Sequence, residues 1–149
     1  MAGEKNGKKT FTGELPHNLE AEQSILGCLM IDRDIQLDVL SSLNEDDFYS
    51  ESHGYIFEAM VAVNKANVPV DLVTLTDQLE KDGNLEAAGG IGYLTSLTKI
   101  MPSTANYKHY LEIVKRDAVL RQLIRSSQAI IQNAVESSDK GESVAFAEK

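Results

Sequence analysis

Apolar and polar positions follow one another at helical spacing along nearly the whole chain. After Pro16, the residues Leu19, Gln23, Leu26 and Met30 recur on one stripe, and Ile25 and Leu29 widen it into a face fit for burial. Asn18 stands where an N-cap is wanted, and Glu20 and Glu22 fall in the first turn, where the free N–H groups favour anions. A second, shorter helix carries Ile35, Val39 and Leu40 and ends before Asn44. Glu45-Asp46-Asp47 then leads into Phe48-Tyr49, a turn with an aromatic anchor. Ile56, Phe57, Met60 and Val63 predict a third helix over residues 52–66. Val68-Pro69-Val70 breaks it, because proline lacks an N–H and pushes the residue before it out of the α region. Asp71 caps a fourth helix with Leu72, Leu75 and Leu79, closed by Asp82-Gly83. Gly89-Gly90-Ile91-Gly92 is a turn feeding a fifth with Tyr93, Leu94, Leu97 and Ile100, which Pro102 ends.

The next element differs in scale. From Thr104 to Val135 there is neither glycine nor proline, and with Ser103 or Thr104 as cap this predicts a rod on the order of 45–50 Å long. Tyr107, Tyr110, Leu111 and Val114 form its first apolar face; Leu120, Leu123, Ile124, Ile130, Ile131 and Ala134 form the second. Such a helix outruns the core that five short helices can build. Its far half must bury its stripe against a returning helix, a second copy, or both. Ser137-Ser138-Asp139-Lys140-Gly141 reads as a polar turn, after which Glu142 opens another helical stretch with Val144, Phe146 and Ala147 before Lys149.

The expected fold is therefore all-α: a small globular helical head followed by a long helical hairpin arm, truncated in its second helix. The head spans residues 15–102 and the hairpin residues 103–149. Residues 1–14, with three glycines, three lysines and little that is apolar, form a flexible tail. No β alternation and no repeat of 20–50 residues interrupts this pattern.

Composition narrows the function. The 149 residues carry a net charge of −9, against a protein whose main task is to grip phosphates. A single cysteine cannot form an internal disulfide, which fits a reducing, cytoplasmic setting, and no run of about 18 apolar residues offers a membrane span. There is no GxxxxGK[ST] loop and no GxGxxG after a strand, so no cofactor or catalytic site is expected within this chain. His17, His53 and His109 lie far apart and share no metal-ligand spacing with Cys28; each reads as a surface or capping histidine, and Cys28 as a small buried hydrophobe. The charge is unevenly laid out. From Glu14 to Glu58 eleven acids face one base, Arg33, whereas Lys108, Lys115, Arg116, Arg121 and Arg125 on the rod face only Glu112 and Asp117. That asymmetry suits contact between the acidic head of one copy and the basic rod of another. A second reading is a single-stranded DNA-binding helical module, weakened by the absence of an aromatic stacking platform beside the bases.

Several ordered motifs resemble one family. Leu15-Pro16-His17-Asn18-Leu19-Glu20-Ala21-Glu22-Gln23-Ser24-Ile25-Leu26-Gly27 is similar to the opening of bacterial replicative DNA helicases of the DnaB type. Asp46-Asp47-Phe48-Tyr49, then His53 and Ile56-Phe57, then Val70-Asp71-Leu72-Val73-Thr74-Leu75 follow in the family's order. Gly89-Gly90-Ile91-Gly92-Tyr93-Leu94 and Pro102-Ser103-Thr104-Ala105-Asn106 complete the series. The resemblance implies an all-α N-terminal domain whose hairpins pack as dimers, three dimers closing into a collar on a hexameric ring. It implies partners as well: further copies of the chain, the C-terminal domain of DnaG-type primase, and a helicase loader, with DNA reached only through the full ring. It also implies that the ATPase motor, with its ATP and magnesium, lies in a C-terminal domain absent from this sequence. Carried over by position, Glu20 and Tyr93 fall on the primase-coupled surface or its support. Ile124 and Ile130, with Leu120, Leu123 and Ile131 on the same stripe, fall where subunits or primase touch the hairpin.

Overall fold

The computed structural model describes residues 11–100 and 103–140, and among the described residues all regular structure is helical. Helix α1 (Leu19–Ile31) is the centre of the head, with Ile25, Leu26, Cys28 and Leu29 removed from solvent. Asn18 Oδ1 accepts from the Ala21 N–H at 2.9 Å, which starts this helix where the sequence predicts. A short 3₁₀ turn (Arg33–Ile35) leads into α2 (Gln36–Ser42). Buried Gln36 ties this corner together, its amide donating to the Leu29 carbonyl at 2.8 Å and to that of Val70 at 3.2 Å. A second 3₁₀ turn (Glu45–Asp47) precedes α3 (Glu51–Lys65).

The end of α3 differs in cause from the expectation. The chain leaves the helix before the proline is reached: Asn67 takes the left-handed conformation at φ 60°, and the Val68 N–H closes on the Val63 carbonyl at 3.2 Å. Pro69 then only prevents resumption. Helix α4 (Leu72–Lys81) is started by a reciprocal pair, the Thr74 N–H on Asp71 Oδ1 and the Asp71 N–H on Thr74 Oγ1, both at 2.9 Å. Helix α5 is Gly90–Ile100. It packs on α1 and on α4, while α3 packs on α1 and α4, so the head is one core around Phe57, Met60, Leu75, Leu79, Leu94 and Leu97.

Helix α6 (Tyr107–Lys140) is the long rod. Its first turns lie along α1, where Leu111 and Val114 are buried in the common core. The lead-in is pinned from the α2 corner: the Thr104 hydroxyl donates to Asp32 Oδ2 at 2.7 Å and the Tyr107 hydroxyl to Asp38 Oδ2 at 2.9 Å. That second bond, with the nearby carboxylates, holds the Tyr107 phenol above the ordinary tyrosine pKa.

Two boundaries are corrected. The rod starts at Tyr107, a few residues after the expected caps, because Ser103 Oγ is used earlier, by the Ala105 N–H at 3.1 Å. It also runs through Ser137, Ser138 and Asp139, where a polar turn is expected from sequence. Polarity alone does not stop a helix that is already propagating, and no glycine or proline stands between Tyr107 and Gly141 to break it. The expected second arm from Glu142, and residues 1–10 of the expected tail, lie outside the described residues.

Candidate interaction surface

Four of the sequence motifs meet at one place in the head. The carboxylate of Glu22, on α1, is almost wholly buried, and it faces the start of α3. Its Oε2 accepts from the Tyr49 N–H at 2.8 Å, and its Oε1 from the Ser50 N–H at 3.3 Å and from His53 Nδ1 at 2.8 Å. Across the ring, His53 Nε2 lies 2.5 Å from the Tyr93 hydroxyl, which also receives the Gln23 amide at 3.2 Å. Every hydrogen finds an acceptor with the proton on Nδ1: Gln23 donates to Tyr93, Tyr93 to His53, and His53 to Glu22. Among the described residues no buried side-chain polar atom lacks a partner. Glu22 thus supplies the negative charge that the free N–H groups at the start of α3 attract.

This corrects the expectation for His53, which is neither a surface nor a capping side chain but the buried centre of the network. Glu22 and Gln23 carry no site role in the sequence reading, and the signal for them is slight. Glu20 and Glu22 are both first-turn acids of α1, so the pattern does not say which of them turns inward. Tyr93 is half-buried, its ring stacked near His53 with centroids 5.9 Å apart. Glu20, two residues before Glu22, points the other way and is exposed. It sits on the rim of a shallow groove between α1 and the start of α6, shared with Ser24, Ile100, His109 and Tyr110.

The far half of α6 carries the other sequence-selected residues. Leu120, Leu123, Ile130 and Ile131 are exposed, the last at 62 %, together with Val119 and Val135. Ile124 is half-buried, beside Phe11, Leu15 and Pro16 of the chain's own N-terminal segment. The structure therefore does not bring Glu20, Tyr93 and the arm residues into one cluster. They form a head surface and an arm surface on the same rod-and-head frame.

A family model for the DnaB-like helicase N-terminal domain matches residues 14–116. The chain belongs to this family. It is 46 % identical over 120 residues to the replicative DNA helicase DnaB of Buchnera aphidicola, covering 80 % of this chain and 26 % of that protein. In three dimensions it is similar to the N-terminal domain of DnaB helicase from Mycobacterium tuberculosis, with a TM-score of 0.81, 32 % identity, and 91 % and 95 % of the two chains covered. The N-terminal domain of DnaB helicase from Helicobacter pylori, described with its interactions with primase, shares the fold at a TM-score of 0.65 and 22 % identity, covering 77 % of this chain and 89 % of that one. The chain spans about a quarter of the length of the curated helicase it matches.

Within this DnaB-like domain the geometry explains why Gly-Gly-x-x-Tyr is one unit. Gly89 has φ +106°, and a Cβ there would stand 2.8–2.9 Å from the Tyr93 ring and its Cβ. Only glycine lets the turn close against the ring that carries the network hydroxyl. Gly89→Ala is expected to lower stability by about 2–4 kcal/mol, from backbone strain plus overpacking. Gly92→Ala, where nothing lies within 4 Å, should stay within about 1 kcal/mol of the parent. Urea unfolding followed by circular dichroism separates the two.

Other chemistry is not supported by placement. Cys28 is buried, and burial first, then the Asp32 charge, pushes its thiol up to about 11, the reverse of what a nucleophile needs. His17 is stacked on the Tyr49 ring at 3.9 Å and His109 is exposed. Among the described residues no group of three His, Cys, Asp or Glu could hold a metal ion, and no helix is long and apolar enough to cross a membrane. Arg121, one of the five bases of the rod expected to suit the acidic head of another copy, is buried against its own head instead.

Proposed function

We propose that this chain is the assembly and docking module of a replicative DNA helicase, working through surfaces and without a reaction of its own. The observation that carries this is the exposed stripe of α6. Leu123 and Ile130 remain 59 % and 58 % exposed on a helix that continues well past the core of the head. A contiguous apolar face of that kind on a rigid rod is stable in water only if another surface covers it. In this reading the stripe packs against a second copy, three such dimers close into the collar of a six-membered ring, and the spacing of the heads is set by the arms. The C-terminal domain of a DnaG-type primase then docks on Glu20, Ile124 and Ile130, with Tyr93 supporting the surface from within the head. The likeness to the Helicobacter pylori domain described with primase supports that partner. A loader and DNA act on the assembled ring, and ATP with magnesium belongs to a motor domain of the parent protein.

The test is a titration of the isotope-labelled chain with a primase C-terminal domain, followed by NMR. Shifts are expected to gather at Glu20 and along α6 from Ile124 to Ile130, and to be lost in Ile130→Asp. An unperturbed spectrum at concentrations well above micromolar, with both proteins folded, overturns the docking role.

A further inference from the structure

The rod leaves the head at Arg121. This is the most deeply buried cation among the described residues, at 2 % exposure, and no carboxylate among them pairs with it. Its Nη1 donates to the Pro16 carbonyl at 2.9 Å and its Nη2 to the Asp47 carbonyl at 2.7 Å, with the guanidinium 5.7 Å from the centre of the Tyr49 ring. A rigid planar fork can reach two acceptors at once, and a lysine ammonium on a flexible stem holds them far less firmly. Three segments distant in sequence are thereby fastened at one point: the run before α1, the 3₁₀ turn before α3, and α6. Beyond it, among the described residues, the large apolar side chains of α6 are exposed, apart from Ile124, which is half-buried beside Phe11, Leu15 and Pro16.

Residues 47–50 are held twice. Arg121 takes the Asp47 carbonyl, while Glu22 takes the N–H groups of Tyr49 and Ser50. The loop is therefore shared between the Glu22–His53–Tyr93 network and the root of the arm.

We propose that Arg121 is a latch that sets the direction in which the arm leaves the head, and that the loop of residues 47–50 couples this latch to the buried network ending at Tyr93. The latch is a property of the single chain and does not depend on any partner. If the docking role above also holds, it offers that role a means of regulation, because a ligand that displaces Tyr93 would loosen the arm and change the spacing of heads in the ring. A buried guanidinium that loses an acceptor is strongly disfavoured, so the contact holds or releases as a whole.

Spin labels at Val73→Cys on α4 and Glu136→Cys on the arm test this, since both positions are exposed. Cys28, buried and protonated, does not compete for label at neutral pH. Glu136 lies about 22 Å of helix beyond Arg121, so a tilt of about 15° moves the label by about 6 Å. With labelled protein diluted into excess unlabelled chain, only distances within one molecule are read. The parent should give one narrow distance. Arg121→Met should broaden and shift it by several ångströms while far-ultraviolet helicity is kept. Glu22→Gln should broaden it less, and the double variant no more than Arg121→Met alone, because both act through one loop. Arg121→Lys guards against loss of fold: its charge is kept, yet its distribution should also broaden. An unaltered narrow distance in folded Arg121→Met or Arg121→Lys overturns the latch, and additive broadening in the double variant overturns the coupling. Dimer mass by light scattering is read separately, so failure of the latch and failure of the docking role are told apart.

Discussion

Ile131→Asp is expected to leave the head folded and to abolish the proposed pairing of arms. In the single chain Ile131 is 62 % exposed, so an aspartate there touches no core residue and its cost to the monomer is within about 0.5 kcal/mol. The cost arises only when a second copy covers the stripe. An ionised carboxylate would then be placed among Leu120, Leu123 and Ile130 of the facing arms, with no partner of opposite charge supplied by those side chains. Burying it unpaired costs several kcal/mol, and in a symmetric dimer the penalty is met on both chains. Association is expected to weaken by a factor of roughly a thousand, about 4 kcal/mol. Sedimentation or light scattering over a concentration series reads this directly, with urea unfolding as a control on the head. An unchanged mass would mean that the stripe is covered in some other way.

Glu22→Ala and Glu20→Ala, two positions apart in one motif, are expected to differ by several kcal/mol in stability. Removing the Glu22 carboxylate leaves the Tyr49 N–H, the Ser50 N–H and His53 Nδ1 without their acceptor in a region closed to water. Breaking a buried, hydrogen-bonded pair by deleting one member costs about 3–5 kcal/mol, which lowers Tm by roughly 10–20 °C for a domain of this size. Glu22→Gln should fall between, since the amide keeps one acceptor oxygen but turns a donor toward another donor. Glu20 is exposed in the free chain, and Glu20→Ala should move stability by no more than about 0.5 kcal/mol. Its effect is expected on the proposed partner binding instead. Equal destabilisation by the two alanine variants would contradict the placement of Glu22 as the acceptor that holds α3.

The elements themselves were legible because each signal is local. Asn18, Asp71 and Gly83 act on their own or the adjoining turn, and all three start or stop helices where the pattern says. The misreadings came where a local signal competes with something it cannot see. Val68-Pro69-Val70 marks the right break, but the helix is already closed by Asn67. The serines after Val135 look like a turn, yet a propagating helix absorbs them. Arg121 looks like its basic neighbours on the rod because charge in a sequence carries no address. Its burial is decided by Pro16 and Asp47, residues 105 and 74 positions away.

By itself the sequence determined the all-helical class, the head and the long rod, and the motifs by which the family is recognised, because helix periodicity, capping and chain breaks are settled within a few residues. Only the tertiary structure decided which polar residues turn inward. Glu22, His53, Tyr93 and Arg121 gain their roles from contacts across 27 to 105 positions. A buried charge is tolerated only where distant backbone and side-chain groups converge to receive it, and that convergence exists only once the helices have packed.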